Sequence, residues 1–179
     1  NAGKCYQVAD PTSENDSILA DNDGGLISIP EIGTIKKLFT LDRFLVVFAD
    51  NGTWAITGDA DTGFKATGYE ILKVSKINCL SGENDVDVEG IPVWWSSQGI
   101  FTIETNNVTR NLSAKSLTQE TIQSYYDDQI TALAKLNAMG RYDRATKRVL
   151  WLYKEDDVGD NLRKYDRGLV LDIRLNAFY

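Results

Sequence analysis

A twelve-residue stretch that recurs at a fixed distance is the feature that most constrains the fold. Residues 46–57 align without a gap on residues 93–104, at an offset of 47 residues (93 − 46 = 47). Valine, glycine and isoleucine recur at the same places, and aromatic residues stand on both sides of the glycine. A weaker third copy starts at Arg148 and returns through residues 168–173. Its offset from the second copy is about 57 residues (150 − 93 = 57), so it must carry an insertion. A β-rich unit that recurs about every 40–50 residues is typical of a propeller blade.

Each of the first two copies has the pattern of a β-hairpin. In the first, the apolar run Arg43–Ala49 is followed by Asp50-Asn51-Gly52, and Asn-Gly readily supplies the positive φ values of a tight turn. The returning half alternates, which predicts that Trp54 and Ile56 point inward and that Thr53, Ala55 and Thr57 point outward. In the second copy, residues 91–95 turn through residues 96–99 into residues 100–104. The sequence therefore predicts a mainly β fold of propeller-like blades built from antiparallel hairpin repeats; the alternative is a β-sandwich in which two hairpins happen to look alike.

One segment interrupts the β pattern with the period of a helix. Residues 117–139 carry an apolar stripe at Ile122, Tyr126, Ile130 and Leu133. Ser116 with Gln119 forms a plausible capping box, and Gly140 stands where a helix C-cap is expected. We therefore expect one inserted amphipathic helix of about five turns, facing a neighbouring domain or subunit.

The chain divides by composition into two parts. Residues 1–30 are polar and rich in turn formers, which predicts a loop or the continuation of an upstream segment. Residues 31–179 carry the repeats and the helix, so they form the propeller-like region. The chain starts at Asn1 rather than Met and stops on Phe178-Tyr179, and we expect it to be a fragment of a longer protein.

Charge and the missing histidine exclude several functions. The net charge of −7 makes tight or sequence-specific nucleic-acid binding improbable, because an acidic domain repels phosphate. The chain has no histidine, which removes Ser-His-Asp and Cys-His catalysis and nearly all catalytic zinc sites. Cys5 and Cys79 are too few for a disulfide framework; we expect free thiols, with a single bridge as the alternative. The sequence thus predicts a protein that is not an enzyme, with no catalytic residue, no cofactor, no metal and no membrane insertion.

Two acidic stretches are candidates for a cation site. Residues 85–90 place acids at the first three ligand positions of a calcium loop, but the twelfth position would be Ser96 rather than the required Glu. The strict alternation of acids with valine instead predicts a strand with one wet face. In residues 59–63, Asp59 and Asp61 could ligate a cation, although Asp and Gly are ordinary turn formers and a turn is the preferred interpretation.

The remaining acids and the tryptophans raise the alternative of a carbohydrate site. A glycosidase needs two carboxyl groups in an aromatic cleft, and the acid clusters are Asp127-Asp128 and Glu155-Asp156-Asp157. Trp54, Trp94 and Trp95 could serve as sugar platforms, but they lie in the most apolar runs, which favours core packing. Four Asn-x-Ser/Thr triplets occur without a visible signal peptide, so we expect no glycosylation; they begin at Asn15, Asn51, Asn107 and Asn111.

Four segments follow one another in a characteristic order: Arg43–Ile56, residues 66–69, residues 90–101, and the helix after Ser116 followed by residues 148–153. In this order they resemble the nozzle or tail tubular protein B family of short-tailed phages (podoviruses) and related tail hub proteins. The likeness covers residues 38–179, and its specificity lies in the order of the segments rather than in any short motif.

The resemblance implies a structural protein of the virion, in the phage tail. Such proteins contain a β-propeller and form a homohexameric ring at the distal end of the tail, around the channel through which DNA is ejected. The implied partners are further copies of the chain, the tail adaptor ring protein and tail fibres, with DNA only in passage. No catalytic residue is carried over. The alternative is a carbohydrate-binding propeller or lectin used for host attachment.

Overall fold

The computed structural model describes residues 27–59, 63–65, 68–105, 111–155 and 165–179. In these ranges the chain forms twelve strands and two short helices. The first eight strands are β1 (Ile35–Leu41), β2 (Phe44–Ala49), β3 (Gly52–Gly58), β4 (Tyr69–Ser75), β5 (Val86–Val88), β6 (Ile91–Ser96), β7 (Gly99–Thr105) and β8 (Leu112–Ser116). The helices α1 (Gln123–Gln129) and α2 (Ala132–Asn137) follow, and then β9 (Met139–Asp143), β10 (Arg148–Tyr153), β11 (Arg167–Asp172) and β12 (Ala177–Phe178).

The strands form three four-stranded antiparallel meanders in chain order. Sheet 1 contains β1–β4, sheet 2 contains β5–β8 and sheet 3 contains β9–β12, and strands adjacent in sequence are adjacent in each sheet. The prediction of a mainly β chain is therefore confirmed. The three predicted copies are the central hairpins of the three sheets, namely β2–β3, β6–β7 and β10–β11.

Glycine closes the first two hairpins because no other residue fits. Ala49 pairs with Gly52 and Ser96 pairs with Gly99, and both glycines have positive φ, 127° and 142°. A Cβ atom on Gly52 would lie 2.5 Å from the carbonyl oxygen of Ser75. One on Gly99 would lie 2.4 Å from Thr118 Oγ1. The glycine shared by the two copies therefore serves both the turn and the close approach of a neighbouring segment.

The sheets stack face to face, and each residue of the repeat keeps its face. We call the face that a sheet turns toward the next sheet in chain order its forward face, and the opposite one its backward face. Val46 and Phe48 of sheet 1 point forward into an apolar cluster that includes Trp94 of sheet 2. Val93 and Trp95 of sheet 2 point forward into a second cluster that contains side chains of sheet 3. Sheet 2 thus lies between the other two.

The predicted outward positions of β3 are wrong, because both faces of this strand are covered. Thr53, Ala55 and Thr57 are all buried. Ala55 belongs to the cluster between sheets 1 and 2, while Thr53 Oγ1 donates to the carbonyl of Ile77 at 3.1 Å. Trp54 and Ile56 point backward, as a pair, into a third cluster in which Ile27, Ile29 and Ile32 cover them.

The single five-turn helix is also corrected, since the segment forms two short helices. Ile130, at φ −105° and ψ 113°, ends α1, and its buried side chain lies among the aromatic residues between sheets 2 and 3. Thr131 then starts α2 by accepting a hydrogen bond from the backbone nitrogen of Ala134 at 3.1 Å on its side-chain oxygen. Threonine is a favoured N-cap, so it begins a new helix here instead of continuing the old one.

The two predicted helix ends lie elsewhere. Ser116 Oγ does accept a hydrogen bond from the backbone of Gln119 at 3.1 Å, but this contact closes a turn and α1 begins only at Gln123. Gly140 is no helix cap: it lies within β9, where a Cβ atom would be 2.3 Å from Val86 Cγ2. A side chain is excluded there because sheets 2 and 3 meet at this point.

Most of the predicted apolar stripe packs inside the chain. Tyr126 and Ile130 lie in the cluster between sheets 2 and 3, and Ile122 packs against it, whereas Leu133 is half-buried outside that cluster. The helices therefore help to fill the space between sheets 2 and 3. Residues 27–34, which precede β1, form no strand, and the rest of the predicted N-terminal segment lies outside the described residues.

Candidate functional site

The segment between sheets 1 and 2, residues 76–85, makes polar contacts with all three sheets; we call it the connector. Toward sheet 1, the backbone nitrogen of Cys79 donates to the carbonyl of Ala49 at 3.0 Å. Toward sheet 2, Trp94 Nε1 donates to the carbonyl of Asn78 at 3.2 Å. Asn78 Oδ1 accepts hydrogen bonds from Ser96 Oγ at 2.7 Å and from the backbone of Ser97 at 3.1 Å.

The C-terminal half of the connector holds sheet 3. The backbone nitrogen of Gly140 donates to the carbonyl of Glu83 at 2.9 Å, and Trp151 Nε1 donates to the carbonyl of Asn84 at 2.9 Å. Asn84 Nδ2 donates to the carbonyl of Lys135, at the end of α2, at 3.3 Å. The connector is therefore a junction whose backbone carbonyls satisfy the buried donors of its neighbours.

Asp85 is the one strongly perturbed carboxyl group of this junction. Its side chain is fully buried, and Lys37 Nζ lies 3.2 Å from Oδ1. Lys37 also donates to the backbone carbonyl of Asp85 at 2.9 Å. Burial raises the pKa of Asp85 to about 6, and the nearby Lys37 only partly offsets this rise. Oδ2 has no hydrogen-bond partner in the described part of the chain.

Cys79 is the thiol nearest to this carboxyl group, and it is chemically shielded. Its side chain is fully buried, and Sγ donates to the carbonyl of Ser81 at 3.4 Å. Burial, with a smaller effect of Asp85, raises the pKa of Cys79 to about 12. A thiol of this kind is a poor nucleophile near neutral pH. It is a free thiol, as predicted, while Cys5 lies outside the described residues.

Residues 85–90, for which a strand was preferred over a calcium loop, form a strand followed by a turn. Val86–Val88 pairs with β6, which confirms the strand interpretation. Asp87 Oδ1 accepts a hydrogen bond from Gly90 at 2.7 Å, and Glu89 forms an ion pair with Lys147. Asp85, expected on a wet face, is buried instead. Within the described ranges, no three His, Cys, Asp or Glu side chains gather closely enough to hold a metal ion.

The second cation candidate is only partly described. Asp59 and Gly63 form an isolated antiparallel bridge, with the nitrogen of Gly63 donating to the carbonyl of Asp59 at 3.0 Å. Residues 60–62 lie outside the described residues, so the turn interpretation stays a prediction. Asp61 lies outside the described residues, so the pair cannot be assembled into a site.

The tryptophans proposed as sugar platforms are core residues. Trp94 and Trp95 are fully buried on opposite faces of sheet 2, and Trp54 is buried behind sheet 1 under Lys73, whose Nζ lies 4.6 Å from the ring centre. None of the three presents a ring face to solvent. The preferred interpretation, core packing, is confirmed.

The remaining acids and asparagines form no shared cleft in the described structure. Asp127 accepts hydrogen bonds from Gln123 Nε2, one turn before it on α1, at 3.0 and 3.1 Å. Glu155 forms an ion pair with Arg167, while Asp156 and Asp157 lie outside the described residues. Asn51 Nδ2 donates to the carbonyl of Glu31 at 2.7 Å. Asn15 and Asn107 lie outside the described ranges.

A cavity of about 520 Å³ opens at one end of sheet 1. Its lining includes the acids Asp42 and Asp59 beside Arg43. Phe64, which also lines it, stacks on Tyr69 with ring centres 5.8 Å apart and planes inclined by 20°. The cavity therefore combines charged groups with exposed aromatic surface.

Sequence reasoning missed the junction itself. Lys37 and Asp85 are 48 residues apart, and neither stands in a recognisable motif. The one available signal was the break in alternation at Asn84-Asp85, where two polar residues precede the apolar positions of β5. The long-range pairing depends on the stacking of the sheets, which a single sequence does not give.

None of the helices in the described ranges has the length and apolar character needed to cross a membrane. No protein-family model matches the chain. No curated protein matches it either.

Proposed function

We propose that this chain is a structural part of a short-tailed phage tail and contributes propeller-like blades to the nozzle ring around the DNA exit channel. The observation that supports this best is the stack of three consecutive meanders in which each repeat position keeps its face. Successive four-stranded sheets that cover one another's apolar faces are the building principle of a propeller. The ordered resemblance of segments 43–56 and 90–101 adds the link to the tail family.

The distribution of polar groups favours a scaffold over an enzyme. The perturbed carboxyl group, Asp85, is sealed by the connector rather than placed in a cleft. The buried thiol, Cys79, has a raised pKa, the opposite of an activated nucleophile. In a ring, a net charge of −7 for each chain would repel DNA in the channel and reduce friction during its ejection.

The test is immunogold labelling of whole particles with an antibody raised against the folded chain. We expect label at the distal tip of the tail. An antibody against a head protein of the same particle is the matched control, since it should label a different place. If the antibody binds the native chain but labels no particle, the virion role is excluded.

Carbohydrate binding remains a second candidate on one observation. The stacked pair of Phe64 and Tyr69 beside the cavity of sheet 1 presents exposed aromatic surface, as saccharide sites do. A glycan array probed with the chain and with Phe64→Ala would test it, with Tyr125→Ala as the control for an exposed aromatic elsewhere. Hits that disappear only in Phe64→Ala would favour the lectin, and an array without hits would exclude it.

A further inference from the structure

The repeat assigns equivalent positions to the same face of every sheet. Val46 of sheet 1 is buried beneath sheet 2, and Val93, which is 47 residues later, is buried beneath sheet 3. Phe48 and Trp95 repeat this relation at the next forward position. The third-copy equivalent of Val93 is Leu150 (150 − 93 = 57). By the rule of the first two copies, Leu150 should lie beneath another sheet.

In the described part of the chain, no sheet covers the apolar side chains on the forward face of sheet 3. Leu150 is 40% exposed, and the described ranges contain no fourth sheet to cover it. Leu152 and Val170, on the same face, are half-buried, and Tyr179, whose backbone pairs with Val170, is 64% exposed. Gly168 adds no side chain to this face, and a Cβ atom there would lie 3.5 Å from Leu150 Cδ1.

The opposite end of the stack, the backward face of sheet 1, is only partly covered. Residues 27–32 shield its centre. Three large aliphatic side chains around that centre stay exposed: Ile35 by 53%, Leu38 by 55% and Leu45 by 39%. Their register partners Ala49, Val47 and Ile56 all belong to the backward cluster, which places the three on the backward face.

We propose that the forward face of sheet 3 binds the backward side of sheet 1 in a second copy of this chain. The contact continues between copies the stacking that already joins sheet 1 to sheet 2 and sheet 2 to sheet 3. Because the two surfaces are different, the contact is heterologous, and it generates a ring when the rotation closes.

The charged side chains near the two ends do not select a partner. On the backward side of sheet 1, Glu31 lies 3.8 Å from Lys73 and Asp50 lies 3.0 Å from Lys36, so both acids are paired within the chain. On sheet 3, Arg141 is exposed in register with the apolar row. The proposed contact therefore rests on the apolar side chains and on the repeated stacking of the sheets.

This inference names the subunit contact of the proposed ring, and in that respect rests on the proposed function. Its evidence is the stacking alone. Self-association is measured on the purified chain, and tail location is measured on particles, so each can fail without the other.

The experiment is sedimentation velocity of the whole chain over a wide concentration range. Leu150→Glu alters the forward face of sheet 3, and Leu38→Glu alters the backward side of sheet 1. Leu136→Glu is the control, because Leu136 is 44% exposed on α2, away from both faces. We expect the unaltered chain and the control to self-associate and both face variants to sediment as monomers. Circular dichroism checks that all variants are folded.

Mixing the two face variants distinguishes contact between sheet 3 and sheet 1 from contact between two sheet 3 faces. A Leu38→Glu chain keeps an intact sheet 3 face, and a Leu150→Glu chain keeps an intact sheet 1 side. Their mixture should therefore form dimers and nothing larger. A monomeric unaltered chain at every concentration, or an unchanged assembly in Leu38→Glu, would overturn the proposal, the second because it would indicate that two sheet 3 faces bind each other.

Discussion

The two faces of sheet 2 carry adjacent tryptophans that are held in different ways. Trp94, on the backward face, packs with its ring centre 4.8 Å from that of Phe48, and its Nε1 donates to the connector. Trp95, on the forward face, has its ring centre 5.3 Å from that of Tyr126 and 5.9 Å from that of Trp151. Its Nε1 has no hydrogen-bond partner in the described chain.

The difference shows that two neighbouring positions of the repeat serve two kinds of interface. Between sheets 1 and 2, the connector binds the indole of Trp94 itself. Between sheets 2 and 3, the connector binds Gly140 and Trp151, while Trp95 is held by the shape of the surrounding aromatic side chains and by the two inserted helices. The repeat therefore determines which face a residue occupies, whereas the segments between the strands determine how that face is held.

The largest effect is expected from removing either indole. Trp94→Ala and Trp95→Ala should each lower the free energy of unfolding by about 3–5 kcal/mol, because a buried aromatic side chain leaves a cavity. Urea unfolding followed by circular dichroism measures this. A loss below about 1 kcal/mol at either position would mean that the corresponding sheets do not stack as described.

The second prediction concerns the closest approach of sheets 2 and 3. In Gly140→Ala the new methyl group would lie 2.3 Å from Val86 and 2.6 Å from Trp151 Nε1. We expect a destabilisation of about 2–3 kcal/mol from overpacking. Gly168→Ala is the control, since its methyl group would meet neighbours only at 3.5 Å and beyond. Equal urea midpoints for the two variants would contradict the interface.

The third prediction uses Asp85, at the interface of sheets 1 and 2. Its pKa is about 6 in the folded chain and near 3.8 when exposed, so between these values the folded state binds more protons. This group therefore makes the free energy of unfolding fall as pH rises from about 4 to 6, by roughly 2 kcal/mol. Asp85→Asn removes the contribution.

Chemical unfolding of both proteins at several pH values isolates that contribution. The stability of Asp85→Asn relative to the unaltered chain should increase from pH 4 to about 7, mostly below pH 6, and stay constant at higher pH, where Asp85 is charged in both states. Asp50→Asn is a control with the opposite pKa shift, since Lys36 holds the pKa of Asp50 below its usual range. A pH-independent difference for Asp85→Asn would refute the buried carboxylate.

The smallest effect distinguishes the two indole nitrogens. Trp94→Phe leaves the carbonyl of Asn78 without its donor, whereas Trp95→Phe removes a buried N–H group that has no partner. Trp94→Phe should therefore cost about 1 kcal/mol more than Trp95→Phe. Thermal unfolding of the pair measures the difference, and the reverse order would show that the connector does not support sheet 2.

The sequence was a good guide to local pairing and a poor one to long-range contacts. Asn51-Gly52 and the alternating runs located β2–β3 and β6–β7, because turn chemistry and periodicity are local properties. Thr131 could have been recognised as an N-cap, which would have divided the helix correctly. The burial of Ala55 and the glycine at position 140 could not be predicted, since each depends on another sheet that is distant in the chain.

The candidate site shows the same difference between local features, which could be predicted, and long-range contacts, which could not. The strand through residues 86–88 and the core role of the tryptophans were predicted from pattern and composition. The pairing of Lys37 with Asp85 was not, because neither residue has a local partner that marks it. Burial of an acid next to a strand is decided by what packs above it, and no single-sequence signal carries that information.

The buried thiol of Cys79 can report how often the interface between sheets 1 and 2 opens. It lies between sheets 1 and 2 and meets solvent only when that interface opens, so its alkylation rate follows the frequency of opening. Mass spectrometry of the peptide that contains Cys79 would read this rate separately from Cys5. Comparing the rate in the isolated chain with that in an assembled ring would show, without any mutation, how strongly assembly holds the stack closed.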